Sequence, residues 1–227
     1  MTVKKGDFIE LEFTGKIKSS NEIFDTNVKS VVDSEKLDVK EVKPFVLSVG
    51  SAMLPLGFDE DLIGKEVGKN YVVDITAEKA FGKRDKALIK MIPTKLFLEQ
   101  KIRPERGMQL SLDGQMVKII SVSSGRTLVD FNNPLTGKDI IYEYKILKEI
   151  NDENEKINGL QDFLFKKRFE FEVKGNKVVF SVEKAMEPYM KMFSGKFKEI
   201  IGKEIDVIVK AVAKKENSVR QVAVGSQ

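Results

Sequence analysis

The acidic residue Asp25 and the aromatic and aliphatic residues of three segments could together form a site in this sequence. The triplet Phe24-Asp25-Thr26 precedes the stretch PFVLSVGSAMLPLGFDEDLIGKEVGKNYVVDITAEKAFG at 44–82, and NNPLTGKDIIYEYKIL follows at 132–147. These segments bring apolar side chains from several predicted strands and loops, which could form the walls of one small pocket. Such a pocket suits a compact apolar ring, for example the ring of a proline in a peptide.

The chain contains neither histidine nor cysteine. This excludes a Ser-His-Asp triad, a Cys-His dyad, a histidine general base, a disulfide and any metal site that needs imidazole or thiolate ligands. We therefore expect no metal and no cofactor, and the chemistry must proceed without these groups.

The composition is that of a folded globular protein. Hydrophobic residues make up 41% and charged residues 33% of the 227 positions, which excludes a disordered chain and predicts two domains plus an insertion. No apolar run approaches the roughly 18 to 20 residues of a membrane span. The N-terminus MTVKKGDFIELEF starts directly with a strand pattern, without the apolar region of a signal peptide. We expect a cytoplasmic protein with no membrane partner.

The elements that must position the pocket residues are several strands and one short helix. The alternation in VKKGDFIELEFTGKI predicts a strand before Phe24, and the polar residues 27–43 predict an exposed loop. Apolar residues from Leu54 to Ile63 predict a helix that packs on a sheet and ends at Gly64, the only helix expected in the first domain. Residues 71–75 predict a further strand.

A separate small lobe is predicted between residues 86 and 131. It contains several short strand-like runs, and Thr94, after Pro93, is a candidate helix N-cap. The main pattern resumes at 132 and ends in the strand IIYEYKIL. The lobe therefore interrupts a loop whose two ends must lie close together.

A charged linker, NDENEKING at 151–159, is expected to precede a C-terminal unit. In that unit FEFEV and VVFSV alternate around a Gly-Asn turn, which predicts a hairpin. A helix from about 184 to 202 is predicted by apolar residues at helical spacing, namely Met186, Met190, Phe193, Phe197 and Ile200. The strand EIDVIVKAVA at 204–213 completes a β-β-α-β unit, and the tail after 214 is expected to be mobile or a terminal extension.

In these residues and their spacing, the chain resembles an FKBP-type peptidyl-prolyl cis/trans isomerase, in particular the SlyD-like, insert-in-flap branch in its long archaeal form. The resemblance covers roughly residues 1 to 151 and implies an α+β fold, with an antiparallel sheet wrapped on a short helix. It implies an isomerase domain at 1–86 and 132–151, a β-rich insert-in-flap chaperone lobe at 87–131, and a C-terminal α+β dimerisation and chaperone domain at 154–227. The His-rich metal-binding tail that the branch often carries is not in this sequence.

The resemblance also assigns site residues. It implies catalytic roles for Phe24, Asp25, Phe58, Phe81 and Tyr142. It implies substrate-binding roles for Phe13, Phe45, Leu47, Leu54 and Pro55, and in the lobe for Met91, Leu96 and Phe97.

Four positions depart from the family pattern. Phe58 replaces the usual tryptophan at the pocket floor, and Phe13 and Phe81 replace tyrosines that the family often has. Pro55 has no amide hydrogen to donate to a ligand. Two hydroxyls and one amide donor are thus missing, and we expect weak binding of peptides and macrolides.

Isomerisation about an Xaa-Pro bond needs no covalent step, and its barrier of about 20 kcal/mol is the loss of amide resonance on twisting. An apolar site favours the twisted amide because that form has less charge separation and loses less hydration than a planar amide. Only this difference accelerates the reaction. The resemblance places Asp25 at the rim of the site, where it accepts a hydrogen bond and orients the peptide.

Each assignment has a plainer alternative. Taken singly, the aromatic residues are more often core than pocket residues, and Asp25 could serve only as a turn residue. In the lobe, six residues could form the core or an adaptable groove for unfolded chains: Met91, Leu96, Phe97, Met108, Leu110 and Met116.

For the C-terminal unit we expect a homodimer, because a thin core exposes strand edges and a Met/Phe helix face. The basic run KKR at 166–168 raises nucleic-acid binding as a rival, but aromatic residues do not interleave with basic ones, so no nucleic-acid partner is expected. The expected function is isomerisation together with holdase activity on unfolded or partly folded polypeptides that contain Xaa-Pro. The alternative is a protein-binding chaperone whose isomerase site is vestigial.

Overall fold

The computed structural model describes residues 2–39 and 42–209. They divide into two compact units between Gly159 and Leu160. In chain order the elements are β1 (Phe8–Ile17), β2 (Ile23–Thr26), α1 (Lys29–Glu35), β3 (Phe45–Ser48), α2 (Leu56–Asp61), β4 (Asn70–Ile75), β5 (Ile89–Pro93), α3 (Thr94–Glu99), β6 (Gln109–Leu112), β7 (Gln115–Ser123), β8 (Arg126–Asp130), β9 (Ile140–Glu149), α4 (Glu153–Leu164), β10 (Phe171–Lys174), β11 (Lys177–Val182), α5 (Glu187–Met192), α6 (Ser194–Ile201) and β12 (Glu204–Val209). Short 3-10 turns at Lys86–Leu88 and Lys184–Met186 complete the set.

A five-stranded antiparallel sheet carries the first unit. Its order is β2-β1-β9-β4, and β3 pairs with β1 as well. The helix α2 packs on this sheet through Phe58, and Leu62 follows directly after the helix; both are 0% exposed. The sheet with its short helix confirms the α+β class, and α2 confirms the helix predicted between Leu54 and Ile63.

A second antiparallel sheet, in the order β5-β8-β7-β6, forms the lobe. Its core is Phe97 from α3 with Val117 and Val129, all at most 2% exposed. The prediction that Thr94 caps the helix is wrong. The helix begins at Thr94 itself, and the Thr94 hydroxyl lies 3.0 Å from that of Thr127.

Two predicted irregular segments are helical. The expected loop 27–43 contains α1, which buries Val32 against the rest of the unit. One buried residue in a short helix leaves no periodicity to detect. The expected linker 151–159 is helical from Glu153 onwards. The amide of Glu155 donates to the side chain of Asp152 at 2.8 Å. The acidic residues of the first turn stabilise the helix through its dipole. The charged residues at its start therefore belong to a helix, and α2 is not the only helix before the second unit.

The second unit contains the sheet β10-β11-β12 and the helices α5 and α6. The hairpin predicted around Gly175 is confirmed by the pairing of Val173 with Val178. β12 runs parallel to β11, so the two helices form the crossover between them. Residues 210–213 of the predicted last strand, and the tail, lie outside the described residues.

The single helix predicted from 184 to 202 is wrong in one respect. It is divided at Phe193, where the backbone (φ −93°, ψ 3°) leaves the helical region between α5 and α6. Met190 and Phe197 of the predicted exposed face are 0% exposed. That stripe is therefore the core of the unit, as helical spacing of apolar residues most often signifies.

Candidate functional site

The innermost part of the predicted pocket is a closed group of four side chains. We call Phe13, Leu47, Phe58 and Tyr142 the floor cluster; their exposed fractions are 6, 0, 0 and 2%. They come from β1, β3, α2 and β9. Phe58 stacks on Tyr142 with ring centroids 4.3 Å apart, and Phe13 meets Phe58 at nearly a right angle at 6.1 Å. These rings fill the space between sheet and helix, so the floor cluster itself offers little surface to solvent.

Five half-buried side chains lie between the floor cluster and solvent. We call them the rim: Phe24, Phe45, Leu54, Pro55 and Phe81. Phe24 contacts Tyr142 at 5.7 Å and Phe81 at 5.9 Å, while Phe45 contacts Phe13 at 6.5 Å. Phe24 and Phe45 therefore contact the floor cluster directly and Phe81 contacts Phe24, while all five rim side chains stay partly accessible, as the contact surface for an apolar ligand must be.

A β-bulge directs Phe24 into this group. Gly15 of β1 pairs with Asp25 of β2, but Lys16 pairs with Ile23, so Phe24 is the extra residue. Bulges beside functional sites re-aim side chains in this way. A Cβ added at Gly15 would lie 2.6 Å from the Phe24 ring and 2.7 Å from the Tyr142 ring. The sequence analysis missed Gly15, although an isolated glycine in a strand pattern is a signal of close approach.

Asp25 lies next to this bulge and is exposed. In the sheet, Gly15 pairs with Asp25 on one side and with Tyr142 on the other. Burial, and secondly the negative charge of Asp25, raise the pKa of Tyr142 above its ordinary value. The Tyr142 hydroxyl is therefore neutral throughout the physiological range, with a carboxylate in its neighbourhood.

A second missed residue, Asp59, fixes the loop that leads into the rim. Its carboxylate is buried and accepts the amides of Gly50 at 2.7 Å and Ala52 at 3.0 Å. The loop continues through Met53 to Leu54 and Pro55. Its only sequence signal was an acidic residue near the start of a helix, which is common and unspecific.

The loop that carries Phe81 is held from two sides. The amide of Gly57 in α2 donates to the Lys79 carbonyl at 2.9 Å, and a Cβ at Gly57 would come within 2.6 Å of Ile75. On the other side, the Gly137 amide donates to the Gly82 carbonyl at 2.8 Å. This contact joins the two ends of the lobe insertion, as the sequence predicts.

Polar contacts also hold the base of the lobe. The side chain of Asn132 accepts the Asp85 amide at 2.8 Å and donates to the Asp85 carbonyl at 2.9 Å. Arg84 forms an ion pair with Asp130, which also accepts from Asn132. Burial opposes ionisation of Asp130, but the hydrogen bonds from Asn132 and Arg84 outweigh it and lower its pKa.

The lobe exposes apolar side chains on its surface. Met91, Leu96 and Met116 are 60, 50 and 50% exposed. Leu88, Leu98 and Val122 are exposed as well, and the sequence analysis did not name them. Phe97, predicted to contact substrate, is instead 2% exposed in the lobe core, because its helix turns that face toward the sheet. The other two predicted lobe residues, Met91 and Leu96, are accessible to a partner.

The basic run of the second unit is engaged within that unit. Arg168 donates to both carboxylate oxygens of Asp162, from Nη2 to Oδ2 at 2.7 Å and from Nε to Oδ1 at 3.1 Å. Lys166 and Lys167 lie over the rings of Phe163 and Phe169 at 5.4 and 5.3 Å. Arg168 is therefore paired with a carboxylate, and Lys166 and Lys167 each lie against a ring of the same unit.

Across residues 2–39 and 42–209, no group of three or more acidic side chains is arranged to hold a metal ion. None of the helices in that same part of the chain is long and apolar enough to cross a membrane.

Two family models match the sequence. Residues 1–102 match the model described as FKBP-type peptidyl-prolyl cis-trans isomerase, and residues 90–135 match the model described as FKBP26, IF domain. The first range contains both the floor cluster, apart from Tyr142, and the whole rim. The second range contains most of the lobe.

Curated relatives carry corresponding names. A short-type peptidyl-prolyl cis-trans isomerase of Methanocaldococcus jannaschii is 33% identical over 146 residues, which are 63% of this chain and 92% of the relative. The isomerase SlyD of Helicobacter pylori is 23% identical over 159 residues, 67% of this chain and 77% of the relative. An FKBP-type 16 kDa isomerase of Escherichia coli is 29% identical over 111 residues, 47% of this chain and 74% of the relative.

Proposed function

Because the chain belongs to the family of FKBP-type peptidyl-prolyl cis-trans isomerases, we propose that its rim binds the prolyl ring of a polypeptide and that Asp25 orients the peptide there. One observation carries this assignment. Half-buried rings from three separate segments, Phe24, Phe45 and Phe81, join a closed aromatic floor immediately beside an exposed carboxylate.

The proposed mechanism is differential solvation of the amide. The floor cluster is rigid and apolar, so it supplies a low-dielectric base and cannot hydrate a planar, strongly polar amide. The twisted amide loses less hydration free energy than the planar amide when it enters the site. The barrier to rotation falls by that difference. Asp25, which is exposed at the rim, supplies the polar group that positions the peptide while the bond rotates. In this proposal the prolyl ring lies against the half-buried rim, because the floor cluster beneath it is closed.

The lobe extends this function to protein substrates. We propose that it is an insert-in-flap module, supported by the family model over 90–135 and by the connection of its two ends through Gly82 and Gly137. Its exposed Met91, Leu96 and Leu98 can adapt to varied apolar segments of unfolded chains. Holdase activity and a cytoplasmic location belong to the same proposal.

Self-association is proposed for the second unit. Ile208 and Val209 are 50 and 42% exposed on β12, an edge strand of the described sheet, and Met192 is 70% exposed. An uncovered apolar edge strand favours pairing with another strand. Light scattering over a range of concentrations measures the assembly, and a mass that stays that of one chain would reject it.

The site assignment is tested by exchange at an Xaa-Pro bond in a short peptide, with Asp25→Ala and Phe24→Ala compared to wild type. Loss of a hydrogen bond to a charged group costs about 1.5–3 kcal/mol, so Asp25→Ala should slow kcat/KM about ten- to hundredfold. Asp33→Ala is the matched control, because Asp33 is also exposed but lies in α1.

The alternative is a chaperone whose isomerase site is vestigial. It predicts that both site variants leave exchange as it is in the control. In that case the rim would be a packing surface, and only the binding of unfolded chains would remain.

A further inference from the structure

A cleft at the base of the lobe is strongly basic. Its volume is about 470 Å³, within the range of small-ligand sites. Its charged lining residues are Arg84, Arg106, Lys118, Lys138 and, as the one carboxylate, Asp130. Positive side chains thus outnumber negative ones four to one around a single hollow.

The one carboxylate of the cleft is already neutralised. Asp130 is 8% exposed, forms an ion pair with Arg84, and accepts from the backbone amide and the side-chain amide of Asn132 at 3.0 and 2.6 Å. Arg106, Lys118 and Lys138 have no carboxylate of residues 2–39 or 42–209 within 4 Å. Three cations therefore line one hollow without a counter-charge from the described residues, and such an arrangement attracts anions.

The sheet of the lobe determines this placement. Lys118 on β7 pairs with Gln109 on β6 and with Asp130 on β8, so the three residues form one row across the sheet. Directly paired residues share a face of a sheet. The neighbouring residues Val117 and Val129 belong to the apolar core with Phe97. The lobe therefore buries one face in its own core and presents the polar face to the cleft.

A hydrogen bond connects the lining of the cleft to the loop that carries Phe81 of the proposed isomerase site. Thr136 and Lys138 line the cleft, and Gly137 between them donates to Gly82, which follows Phe81 of the rim. One backbone hydrogen bond therefore connects the segment that carries Phe81 of the rim with the segment that lines the cleft.

The lining favours a polypeptide over a nucleic acid. It contains side-chain amides, such as those of Gln109 and Asn133, and apolar groups, such as those of Met116 and Pro134, but no aromatic ring. Single-stranded nucleic acids are bound largely by stacking of bases on aromatic side chains. Peptide carboxylates instead pair with arginine and lysine, and peptide groups bond to amides.

We propose that this cleft binds carboxylate-bearing segments of polypeptide substrates, next to the Xaa-Pro bond. The proposal rests on the proposed function for the placement of that bond at the rim. The predicted preference is for acidic residues flanking the proline.

The test compares the affinity of two Xaa-Pro peptides, one flanked by a run of glutamates and the other by the same number of glutamines. Each peptide is made with the run before and after the proline. Summing the modest contributions of exposed ion pairs, wild type should bind a glutamate peptide about tenfold more tightly, and added salt should reduce this preference.

The double variant Arg106→Gln/Lys118→Gln should reduce that preference to about twofold or less, because two of three unpaired cations are removed. The matched control is Lys95→Gln/Arg103→Gln, which removes the same charge from exposed positions of the lobe that do not line the cleft. It should keep the tenfold preference. Thermal unfolding of each variant confirms that it is folded.

Equal affinity of wild type for both peptides, or an equal loss of preference in the control, would overturn the proposal. The proposal would also be overturned if a single-stranded oligonucleotide bound in a way that depends on Arg106 and Lys118 and the glutamate preference were absent. Failure of the isomerase assignment gives a different result: wild type would not accelerate exchange in the glutamine peptide, whatever the affinities.

Discussion

Two aromatic clusters, one in each unit, differ in what surrounds them. In the first unit the rings of Phe13, Phe58 and Tyr142 are buried, but the cluster continues into the half-buried rim beside Asp25. In the second unit Phe165, Phe180 and Phe197 contact one another at 5.7–6.0 Å and are at most 8% exposed. The ring geometry is alike in both clusters, so ring packing alone does not distinguish a site from a core.

The difference lies in how the chain delivers the rings. In the second unit Phe180 comes from a strand and Phe197 from a helix, both directed inward, and Phe165 lies directly after the last residue of α4. In the first unit, the rim rings come from a bulge, a strand start and a loop fixed by hydrogen bonds to Gly57 and Gly137. Irregular segments can hold side chains partly in solvent, whereas regular elements with a 3.6- or 2-residue period bury a whole face.

The largest effect should come from removing a fully buried ring in each cluster. Phe58→Ala and Phe180→Ala should each lower the free energy of unfolding by about 3–5 kcal/mol in their own unit, by loss of burial and creation of a cavity. Denaturant unfolding followed by hydrogen exchange measures and locates these losses. At conditions where both variants are folded, only Phe58→Ala should slow Xaa-Pro exchange, and equal slowing by both would remove the functional distinction between the clusters.

A smaller effect is expected from added volume. Gly15→Ala would push a methyl group into the rings of Phe24 and Tyr142 and should cost about 1–3 kcal/mol, with slower exchange because the rim is displaced. Gly195→Ala in α6 is the control, since a Cβ there meets no atom within 4 Å. That change should stabilise the protein by up to about 1 kcal/mol, as alanine favours a helix over glycine. A Gly15→Ala protein as stable and active as wild type would show that the bulge has no role.

The smallest effect should come from restoring a hydroxyl to the rim. Phe81→Tyr should increase peptide affinity up to about tenfold, since one hydrogen bond contributes about 0.5–1.5 kcal/mol, and should leave stability nearly unchanged. Phe171→Tyr, at a half-buried ring of the second unit, should leave affinity as it is. Isothermal titration with an Xaa-Pro peptide measures both, and a gain in neither variant would mean that the missing tyrosine hydroxyl does not limit binding.

Much of the architecture could be predicted because it rests on local patterns. The helix at Leu56–Asp61, the hairpin around Gly175 and the long strand ending the first domain follow from apolar spacing and turn residues. The two missed helices, α1 and α4, show the limit of this reasoning. α1 buries a single valine. α4 begins with charged residues, and its buried apolar side chains, Ile157 and Leu160, come only later in the helix.

The sequence predicts a set of residues for the candidate site, but it does not predict how deeply each of them is buried. The sequence named the aromatic residues and Asp25, whereas Gly15 and Asp59 were found only where the structure shows what they touch. The sequence also could not separate Phe97, which lies in the lobe core, from Leu96, which is exposed beside it.

The sequence by itself determined the family, the α+β class and the chemistry that is impossible, since these depend on residue types and on spacing along the chain. The folded structure is needed to show which rings are closed off, which face solvent, and that three cations around one cleft have no carboxylate partner in the described part of the chain. Exposure and charge pairing depend on contacts between residues far apart in sequence, such as Phe24 with Tyr142 or Arg84 with Asp130. A one-dimensional pattern carries no distance between such residues.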